Sequence, residues 1–329
     1  MKIIAYSVID DEIKYFDIIS KKYNIEFKLN KYKLDISNVE ETKGFDSVVF
    51  KARDDISKDV LNKLKTFNIK YISTRAAGFD KIDIEYAKEI GMKVANVPDY
   101  SPNSVSEFTI LSLLALIRNY NSILINGYNR NYIWTGHIGK EIRNLNIGII
   151  GSGRIGSLII KHLSGFMPKN IFVYSRSIKN ELLDIAKYVS LDEIYSNSDV
   201  LIYAIPCNDE TKNIICKENI EKMKKGVLII NTSRGELVNN NDLLEYLENN
   251  HIVGIALDVY TNEHLYTQKD ISNIVLEDNI IEKLMKMPNV ILTPHIAFYT
   301  DEAVKNMVYI SIENILELMK NDTCKNILT

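Results

Sequence analysis

The sequence has 329 residues, 46% of them hydrophobic and 25% charged, a composition typical of a globular protein and a length that favours two domains. The formal net charge is −3 with acids and bases interspersed, which argues against a nucleic-acid partner or a membrane-surface patch. No apolar run has the length of a membrane span, and the three cysteines, Cys207, Cys216 and Cys324, form no CxxC motif or metal-type cluster. We therefore expect a cytoplasmic protein without structural disulfides.

The first hundred residues alternate between strand and helix patterns. Four β-rich runs, KIIAY, SVVF, KYIST and KVANV, are separated by helical stretches such as 58–67 and 83–90. The first run has the pattern of a strand and not of a signal peptide. Strands that alternate with helices predict a parallel sheet with crossover helices, which we assign to a smaller α/β domain at 1–99.

A long apolar helix is predicted next, in the segment YSPNSVSEFTILSLLALIRNY that runs from Tyr100 to Tyr120. Pro102 occupies a position that the first turn of a helix tolerates. Apolar residues cover nearly the whole circumference from Val105 to Ile117. A helix that is apolar on all sides is buried, so we expect it to lie between domains or subunits.

A second series of strands follows, with the runs NIGII, NIFVY, VLIYA, VLII, IVGIALDV and NVILT. Their continuous apolar character fits a parallel sheet that is covered on both faces. We assign this series to a larger α/β domain at 100–298, while the last helix, from Asp301 onward, fits either domain. The predicted fold class is α/β with two parallel sheets.

The motif GSGRIG places Gly151, Gly153 and Gly156 between the strand 146–150 and an apolar helix that begins near Ile155. The first glycine allows a tight turn, the second lets the backbone approach a pyrophosphate, and the third lets helix and strand pack closely. The N-terminus of the helix adds free N–H groups and a partial positive charge. The motif therefore predicts that the larger domain binds a dinucleotide.

The strand that follows this motif ends in an unusual way, because IFVYSRS leads directly into Ser175, Arg176 and Ser177. An acid at this place hydrogen-bonds the ribose of NAD, whereas a nearby arginine accommodates the 2′-phosphate of NADP. Ser175 carries no charge and Arg176 follows at once. The sequence therefore predicts a preference for NADP(H), with NAD(H) as the alternative.

Three polar residues follow the ends of predicted strands in the larger domain. Arg234 follows VLIINTS, Glu263 follows IALDVYTN, and His295 follows NVILTP. Each alone has an ordinary structural interpretation, as a surface arginine, a solvated loop acid and a packed histidine. Ligands of open α/β sheets bind outside the carboxyl ends of the strands, so the shared placement favours a catalytic set. Without a metal cluster, a zinc-type alcohol dehydrogenase is disfavoured.

These three side chains suffice for the reduction of a 2-keto acid. The imidazolium of His295 protonates the carbonyl oxygen while a hydride arrives at carbon. Glu263 accepts a hydrogen bond from the other ring nitrogen and favours the charged form. The guanidinium of Arg234 matches the geometry of the substrate carboxylate and polarises the carbonyl.

Five motifs resemble those of the D-2-hydroxyacid dehydrogenase family, close to its D-lactate dehydrogenase branch: STRAAGFDKIDIEYAKEIGMKVANVPDYSPNSVSE, NIGIIGSGRIG, INTSRGELVN, GIALDVYTNE and PNVILTPHIAFYT. The resemblance covers nearly the whole chain and implies two Rossmann-like, doubly wound domains. It implies a substrate domain at 1–99 plus 299–329, with the coenzyme domain at 100–298 inserted into it. A homodimer is implied as well, with the apolar helix after Tyr100 near the contact.

The resemblance also implies roles for individual residues. It gives the three catalytic candidates the roles described above, assigns the substrate carboxylate to the backbone amides of Ala77 and Gly78, and places Tyr100 at the substrate. Cofactor contacts are implied at a further set of positions: Arg154, Ile155, Ile205, Pro206, Thr211, Thr232, Ser233 and Asp258.

The chain departs from the family pattern at two positions. One is the missing acid at Ser175. The other is Lys51 in VVFKAR, where D-lactate dehydrogenases often carry an uncharged or aromatic residue. Lys51 is therefore a candidate substrate-binding residue that favours a second polar or acidic group, and its alternative is a lysine that extends to solvent.

The sequence thus predicts an enzyme that reduces a small 2-keto acid to the (R)-2-hydroxy acid, with pyruvate to D-lactate as the first expectation. The combination of STR, YSPxSV and YSRS also resembles the D-lactate-forming enzymes of glycopeptide resistance. One alternative is a broader dehydrogenase for branched or aromatic 2-keto acids. Another, of a different class, is a nucleotide-sensing interaction protein on the same fold.

Overall fold

The computed structural model of the chain describes residues 1–273, 276 and 279–329. The chain divides into two compact units. Unit 1 comprises Met1–Ser101 and Tyr299–Thr329, and unit 2 comprises Pro102–Phe298.

Strands and helices alternate along both units. The strands are β1 Lys2–Ala5, β2 Glu26–Leu29, β3 Ser47–Phe50, β4 Tyr71–Thr74, β5 Lys93–Ala95, β6 Asn146–Ile150, β7 Asn170–Tyr174, β8 Lys187–Tyr188, β9 Val200–Tyr203, β10 Val227–Asn231, β11 Ile252–Leu257 and β12 Val290–Leu292. The α-helices are α1 Asp10–Tyr23, α2 Lys58–Thr66, α3 Ile84–Glu89, α4 Pro102–Ile117, α5 Tyr120–Tyr128, α6 Arg154–Ser164, α7 Leu191–Asn197, α8 Lys217–Ile220, α9 Asn240–Glu248, α10 Asn279–Lys286 and α11 Asp301–Asn321.

Unit 1 contains a five-stranded sheet in the order β2-β1-β3-β4-β5, and every strand pair is parallel. One face is covered by α1 and the C-terminal helix α11, whose Val308 and Ile312 pack with Ile3 and Ala5 of β1. The other face packs against α2 and α3 in a separate apolar cluster. Because both faces are covered, the strands are nearly continuous apolar runs.

Unit 2 contains a seven-stranded sheet in the order β12-β11-β10-β9-β6-β7-β8, again with parallel pairs throughout. Apolar clusters cover both faces, and the central strands β9 and β10 are buried along their whole length. The prediction of an α/β fold with two parallel sheets is confirmed. All carboxyl ends within one parallel sheet lie at the same edge, which we call the carboxyl edge.

Helix α4 is only partly covered within the single chain. Leu113 is fully buried, but Leu111 is 56% exposed in the single chain, and burial of this face between domains or subunits stays a prediction. Helix α5 follows after a bend of 69° and has no buried residue. No single described helix is long and apolar enough to cross a membrane, although the bent pair α4 and α5 passes that test by length and composition.

Candidate active site

The carboxyl edge of unit 2 carries the residues that the sequence analysis marked as catalytic. Arg234 lies three residues beyond β10, and His295 lies three residues beyond β12. Glu263 begins a short 3-10 turn after β11, Glu263–Leu265. Since β10, β11 and β12 are neighbours in the sheet, one edge of one sheet positions all three side chains.

The loop that carries His295 is held by the buried carboxylate of Asp258. One oxygen accepts hydrogen bonds from the Thr293 hydroxyl at 2.6 Å and from the Ile296 amide at 2.9 Å. The other accepts from the Ala297 amide at 2.8 Å. The backbone carbonyl of Asp258 accepts from the His295 amide at 2.8 Å. These four bonds fold the loop so that His295 adopts a left-handed backbone with φ of 55°, a conformation that is costly for a residue with a Cβ.

His295 and Glu263 form an ion pair, which we call the histidine–glutamate pair. The Nδ1 atom of His295 lies 2.5 Å from Oε1 of Glu263, and the Tyr260 amide donates to Oε2 at 3.2 Å. Both side chains are about one third exposed, at 36% and 33%. The other ring nitrogen, Nε2, has no hydrogen-bond partner in the described part of the chain, so it is available to a ligand.

The electrostatics of the pair favour the charged imidazolium. Burial alone lowers the pKa of His295, but the hydrogen bond and the negative charge of Glu263 outweigh it, and the pKa lies above its ordinary value. Burial alone raises the pKa of Glu263, but the bond to His295 and its charge hold the pKa below the ordinary value. The proton therefore stays on the histidine, which is the form that a general acid requires.

Arg234 lies beside this pair. Its Nη1 donates to the Ser233 carbonyl at 2.8 Å, and its own carbonyl accepts from the Asn231 side chain at 2.8 Å. The next residue, Gly235, approaches the backbone of Tyr260 so closely that a Cβ would lie 2.3 Å from the Tyr260 carbonyl carbon. The positive charge of Arg234 lowers the pKa of both members of the histidine–glutamate pair. The close approach at Gly235 thus brings the arginine loop against the loop that carries Glu263.

The glycine turn between β6 and α6 has the geometry that a pyrophosphate needs. Gly151 has φ of 101°, and a Cβ there would lie 2.4 Å from the Ala204 carbonyl oxygen. A Cβ at Gly156 would lie 2.0 Å from the Gly151 carbonyl oxygen, whereas one at Gly153 would meet nothing within 4 Å. The outer glycines therefore allow close packing, and the middle one leaves open space for a ligand at the N-terminus of α6.

The segment after β7 lies against this turn. The Ser152 hydroxyl donates to the Ser177 carbonyl at 3.4 Å, and Lys179 donates from Nζ to the hydroxyl of Ser157 on α6 at 2.9 Å. Ser175 is half-buried and Arg176 is exposed. Two cationic side chains and no carboxylate thus occupy 175–179, beside the turn.

The remaining cofactor candidates lie along the same edge of unit 2. Arg154 and Ile155 form the first turn of α6, and Ile205 and Pro206 follow β9. Three hydroxyl groups are held by neighbours: Thr232 by Thr109 at 3.0 Å, Ser233 by the Tyr203 carbonyl at 2.8 Å, and Thr211 by the Pro206 carbonyl at 2.7 Å. Asp258 directs its carboxylate into the His295 loop. Among the described residues, no group of three His, Cys, Asp or Glu side chains is placed to hold a metal ion.

The substrate candidates lie at the carboxyl edge of unit 1. Ala77 and Gly78 are partly exposed in the loop after β4, and their amides donate to no described residue. The Tyr100 carbonyl accepts from the Asn306 side chain at 2.8 Å. Lys51 follows β3 and contacts a carboxylate on α1, Glu12, at 3.2 Å.

Sequence reasoning missed a buried ion pair in this unit. Arg75, the first residue after β4, is fully buried, and its Nε lies 3.1 Å from Oε1 of the buried Glu12. Glu12 lies in the first turn of α1, after β1. Arg75 directly follows a strand, as the signal that marked Arg234 requires, but Glu12 lies inside α1, seven residues beyond the end of β1. The strand-end signal therefore marks Arg75 and not its partner.

A parallel sheet with a glycine turn for a dinucleotide and a histidine–glutamate pair at one edge is the arrangement expected of a dinucleotide-dependent dehydrogenase. A sequence profile of the "D-isomer specific 2-hydroxyacid dehydrogenase, NAD binding domain" matches residues 110–297. The chain is 41% identical to an aromatic 2-oxoacid reductase of Clostridium sporogenes, with 99% of this chain and 98% of the relative covered. It is 36% identical to a D-lactate dehydrogenase of Lactiplantibacillus plantarum, with 98% of each covered.

A solved structure gives the same result. D-lactate dehydrogenase with NAD+ from Lactobacillus jensenii superposes with a TM-score of 0.88, at 30% identity and with 100% of both chains covered. The chain therefore belongs to the D-isomer specific 2-hydroxyacid dehydrogenase family. It is an oxidoreductase with 2-hydroxyacid dehydrogenase activity and a nicotinamide cofactor, and the predicted family and enzyme class are confirmed.

The histidine–glutamate pair generates a prediction that needs no substrate. We expect Glu263→Gln to lower the pKa of His295, because the variant loses the negative charge that outweighs burial. His295 would then lose its proton at lower pH than in the wild type. An NMR titration of the His295 ring measures this directly, with Glu282→Gln, an exposed acid paired with Lys286, as the control. An unchanged His295 titration in Glu263→Gln would contradict the assignment.

Proposed function

We propose that the protein reduces a 2-keto acid to the (R)-2-hydroxy acid, with His295 as the acid/base. The observation that carries the proposal is the bond between Nδ1 of His295 and Glu263, which leaves Nε2 without a described partner. His295 donates the Nε2 proton to the carbonyl oxygen of the substrate, and Glu263 stabilises the imidazolium until then. When bound, the reduced nicotinamide supplies the hydride.

Three groups are proposed to bind the substrate carboxylate: the guanidinium of Arg234 and the backbone amides of Ala77 and Gly78. The fork of Arg234 matches a carboxylate and places positive charge beside the carbonyl. The amides of Ala77 and Gly78 are assigned to the carboxylate as well, and their lack of a described partner supports this. Tyr100 is proposed to contact the substrate.

Two substrates are proposed for the test. Pyruvate, which gives D-lactate, follows from the sequence analysis and from the D-lactate dehydrogenase relative at 36% identity. An aromatic 2-oxoacid is the second candidate, because the Clostridium sporogenes relative at 41% identity carries that name. Initial rates with pyruvate, 2-ketoisocaproate, phenylpyruvate and oxaloacetate, each with NADH and NADPH, distinguish them. The cytoplasmic location and the link to glycopeptide resistance stay predictions.

The cofactor is proposed to be NADP(H) in preference to NAD(H). The support is local: Ser175 offers no carboxylate to the ribose hydroxyls, and Arg176 is exposed beside it. Lys179, held on α6 through Ser157, adds a second positive charge near the same segment. The glycine turn and the N-terminus of α6 are proposed to hold the pyrophosphate, together with the cofactor candidates named above.

A homodimer is proposed from the surface of unit 2. Helix α5 buries none of its residues in the single chain. Tyr128, Trp134 and Ile138 are 84%, 85% and 91% exposed. Large apolar side chains concentrated in one short stretch mark an interaction surface, and a second copy of this chain is the proposed partner.

His295→Gln is expected to lower kcat for reduction by about a hundredfold or more, because general acid catalysis contributes roughly 10² to 10⁴. Cofactor binding should change little. His251→Gln is the matched control, since its ring contacts the Met223 carbonyl at 3.1 Å and the residue precedes β11 at the opposite edge. Single-turnover rates give the measurement, and a near wild-type rate in His295→Gln would place the acid elsewhere.

Wild-type kcat/KM is expected to be higher with NADPH than with NADH. A charge-assisted bond to the 2′-phosphate contributes roughly 10- to 150-fold in affinity. The double variant Ser175→Asp with Arg176→Ile should shift the preference toward NADH, and Lys169→Ile, an exposed cation at the other end of β7, should not. Equal efficiency with both cofactors in the wild type, or higher efficiency with NADH, would refute the preference.

Light scattering is expected to give about twice the 37.7 kDa chain mass. Replacing two exposed apolar residues, Tyr128→Asp with Ile138→Asp, should shift the protein to the monomer by removing apolar contact and adding charge. Ile36→Asp, at a residue of unit 1 that is 50% exposed, is the control. A monomeric wild type would exclude the dimer.

A further inference from the structure

The carboxyl edge of unit 1 contains an unusual cluster of buried charges. Oε1 of Glu12 lies 3.1 Å from Nε of Arg75, and Oε2 lies 3.2 Å from Nζ of Lys51. The side chains of Arg75 and Glu12 are 0% and 1% exposed, while that of Lys51 is 15% exposed. One carboxylate is thus shared by two cations, and only Lys51 reaches the surface.

The surrounding groups leave the positive charge in excess. Asp54 accepts from the Ser7 hydroxyl at 2.8 Å and from the Lys51 amide at 2.5 Å, and burial raises its pKa. Arg53 donates to the same Ser7 hydroxyl at 3.0 Å. Three cations, Lys51, Arg53 and Arg75, therefore face two carboxylates.

Lys51 is the member of this cluster that a ligand can reach. An ammonium has three donors, and Glu12 is its single partner among the described residues, so two donors remain for solvent or a ligand. Nη1 of Arg75 also has no partner, but Arg75 is fully buried. A cation in excess charge with unused donors favours an anionic acceptor.

The position of Lys51 relates it to the proposed substrate amides. Strands β3 and β4 pair in parallel with Phe50 opposite Thr74, so Lys51 and Arg75 leave the sheet side by side, where strands lie about 4.8 Å apart. Ala77 and Gly78 follow Arg75 in the same loop. The unused donors of Lys51 and the unpartnered amides thus belong to one edge of one sheet.

We propose that Lys51 is a specificity-determining residue that binds a second carboxylate, on the side chain of a dicarboxylic 2-oxoacid. The proposal rests on the proposed function and names a substrate class for the same site. The Ala77 and Gly78 amides hold the carboxylate next to the carbonyl, and Lys51 binds the one at the far end. Glu12 orients the ammonium for this role, while Arg75 keeps the cluster positive.

The ionisation of Lys51 gives the proposal a signature in pH. Burial, opposed by the charge of Glu12, lowers the pKa of Lys51 to about 8. The positive charges of Arg75 and Arg53 are part of this balance and act in the same direction as burial. The preference for substrates that carry a second carboxylate is therefore fully present below about pH 7, where Lys51 is charged, and is lost as the pH rises through about 8.

The experiment compares oxaloacetate with 2-oxobutyrate, in which a methyl group replaces the second carboxylate. The ratio of their kcat/KM values cancels the titration of His295 and the binding of cofactor, which both substrates share. We expect the ratio at pH 7 to be about ten- to a hundredfold higher in the wild type than in Lys51→Met. Lys63→Met, an exposed lysine paired with Glu40, should keep the wild-type ratio.

A variant that keeps the positive charge distinguishes a role of Lys51 in substrate binding from a role in supporting the fold. Lys51→Arg should keep a high ratio that no longer falls between pH 7 and 9, whereas the wild-type ratio falls. If Lys51→Met does not fold, the pH dependence of the wild type and of Lys51→Arg decides the question. A lysine that only supports the fold would change the melting temperature and leave the ratio unchanged.

The outcomes separate this proposal from the proposed function. Equal ratios in wild type and folded Lys51→Met, or a wild-type ratio independent of pH, overturn the role of Lys51 while reduction itself stands. If neither substrate nor pyruvate is reduced, the proposed function fails. In that case, calorimetry compares the binding of the two product acids, D-malate and (R)-2-hydroxybutyrate. A preference for D-malate that depends on Lys51 supports the proposal, and equal binding of the two acids overturns it.

Discussion

The arrangement of the loops at the carboxyl edge of unit 2 depends on one buried carboxylate. Asp258 follows β11 and is 2% exposed. The three groups that donate hydrogen bonds to its carboxylate all belong to the loop after β12. A buried carboxylate without partners is costly, so this loop has little freedom to take another path. The left-handed backbone of His295, with φ of 55°, is strain that these bonds offset. Without them, Nδ1 of His295 would have no fixed position relative to Glu263.

At the same edge, the loops pack closely against the backbone of their neighbours. Gly151, Gly156 and Gly235 each lie where a Cβ would come within 2.4 Å of a neighbouring backbone atom. Two of them shape the dinucleotide turn, and the third brings the loop of Arg234 against that of Glu263. A parallel sheet aligns the strand ends, but it does not by itself bring the loops into contact. The glycines at these three positions allow the loops to come into contact.

The sequence predicted the strands well where apolar runs were continuous. The runs NIGII and NIFVY coincide with β6 and β7, residue for residue. The strands β2 and β8 were missed, because both lie at the edge of a sheet, are short, and contain lysine in EFKL and KY. For α4 the composition predicted burial between domains or subunits, and Leu111 is 56% exposed in the single chain; composition does not tell which neighbour covers a helix.

The two ion pairs explain why one site was predictable and the other was not. Arg234, Glu263 and His295 each follow a strong strand, so their common edge is visible in the sequence. Glu12 and Arg75 pair across elements whose proximity only the sheet order establishes. The pairs also differ in exposure: the side chains of Glu263 and His295 are about one third exposed, whereas those of Glu12 and Arg75 are buried. Arg75 and Lys51 hold the pKa of Glu12 below its ordinary value despite burial, whereas burial lowers the pKa of Lys51, whose side chain is 15% exposed, to about 8.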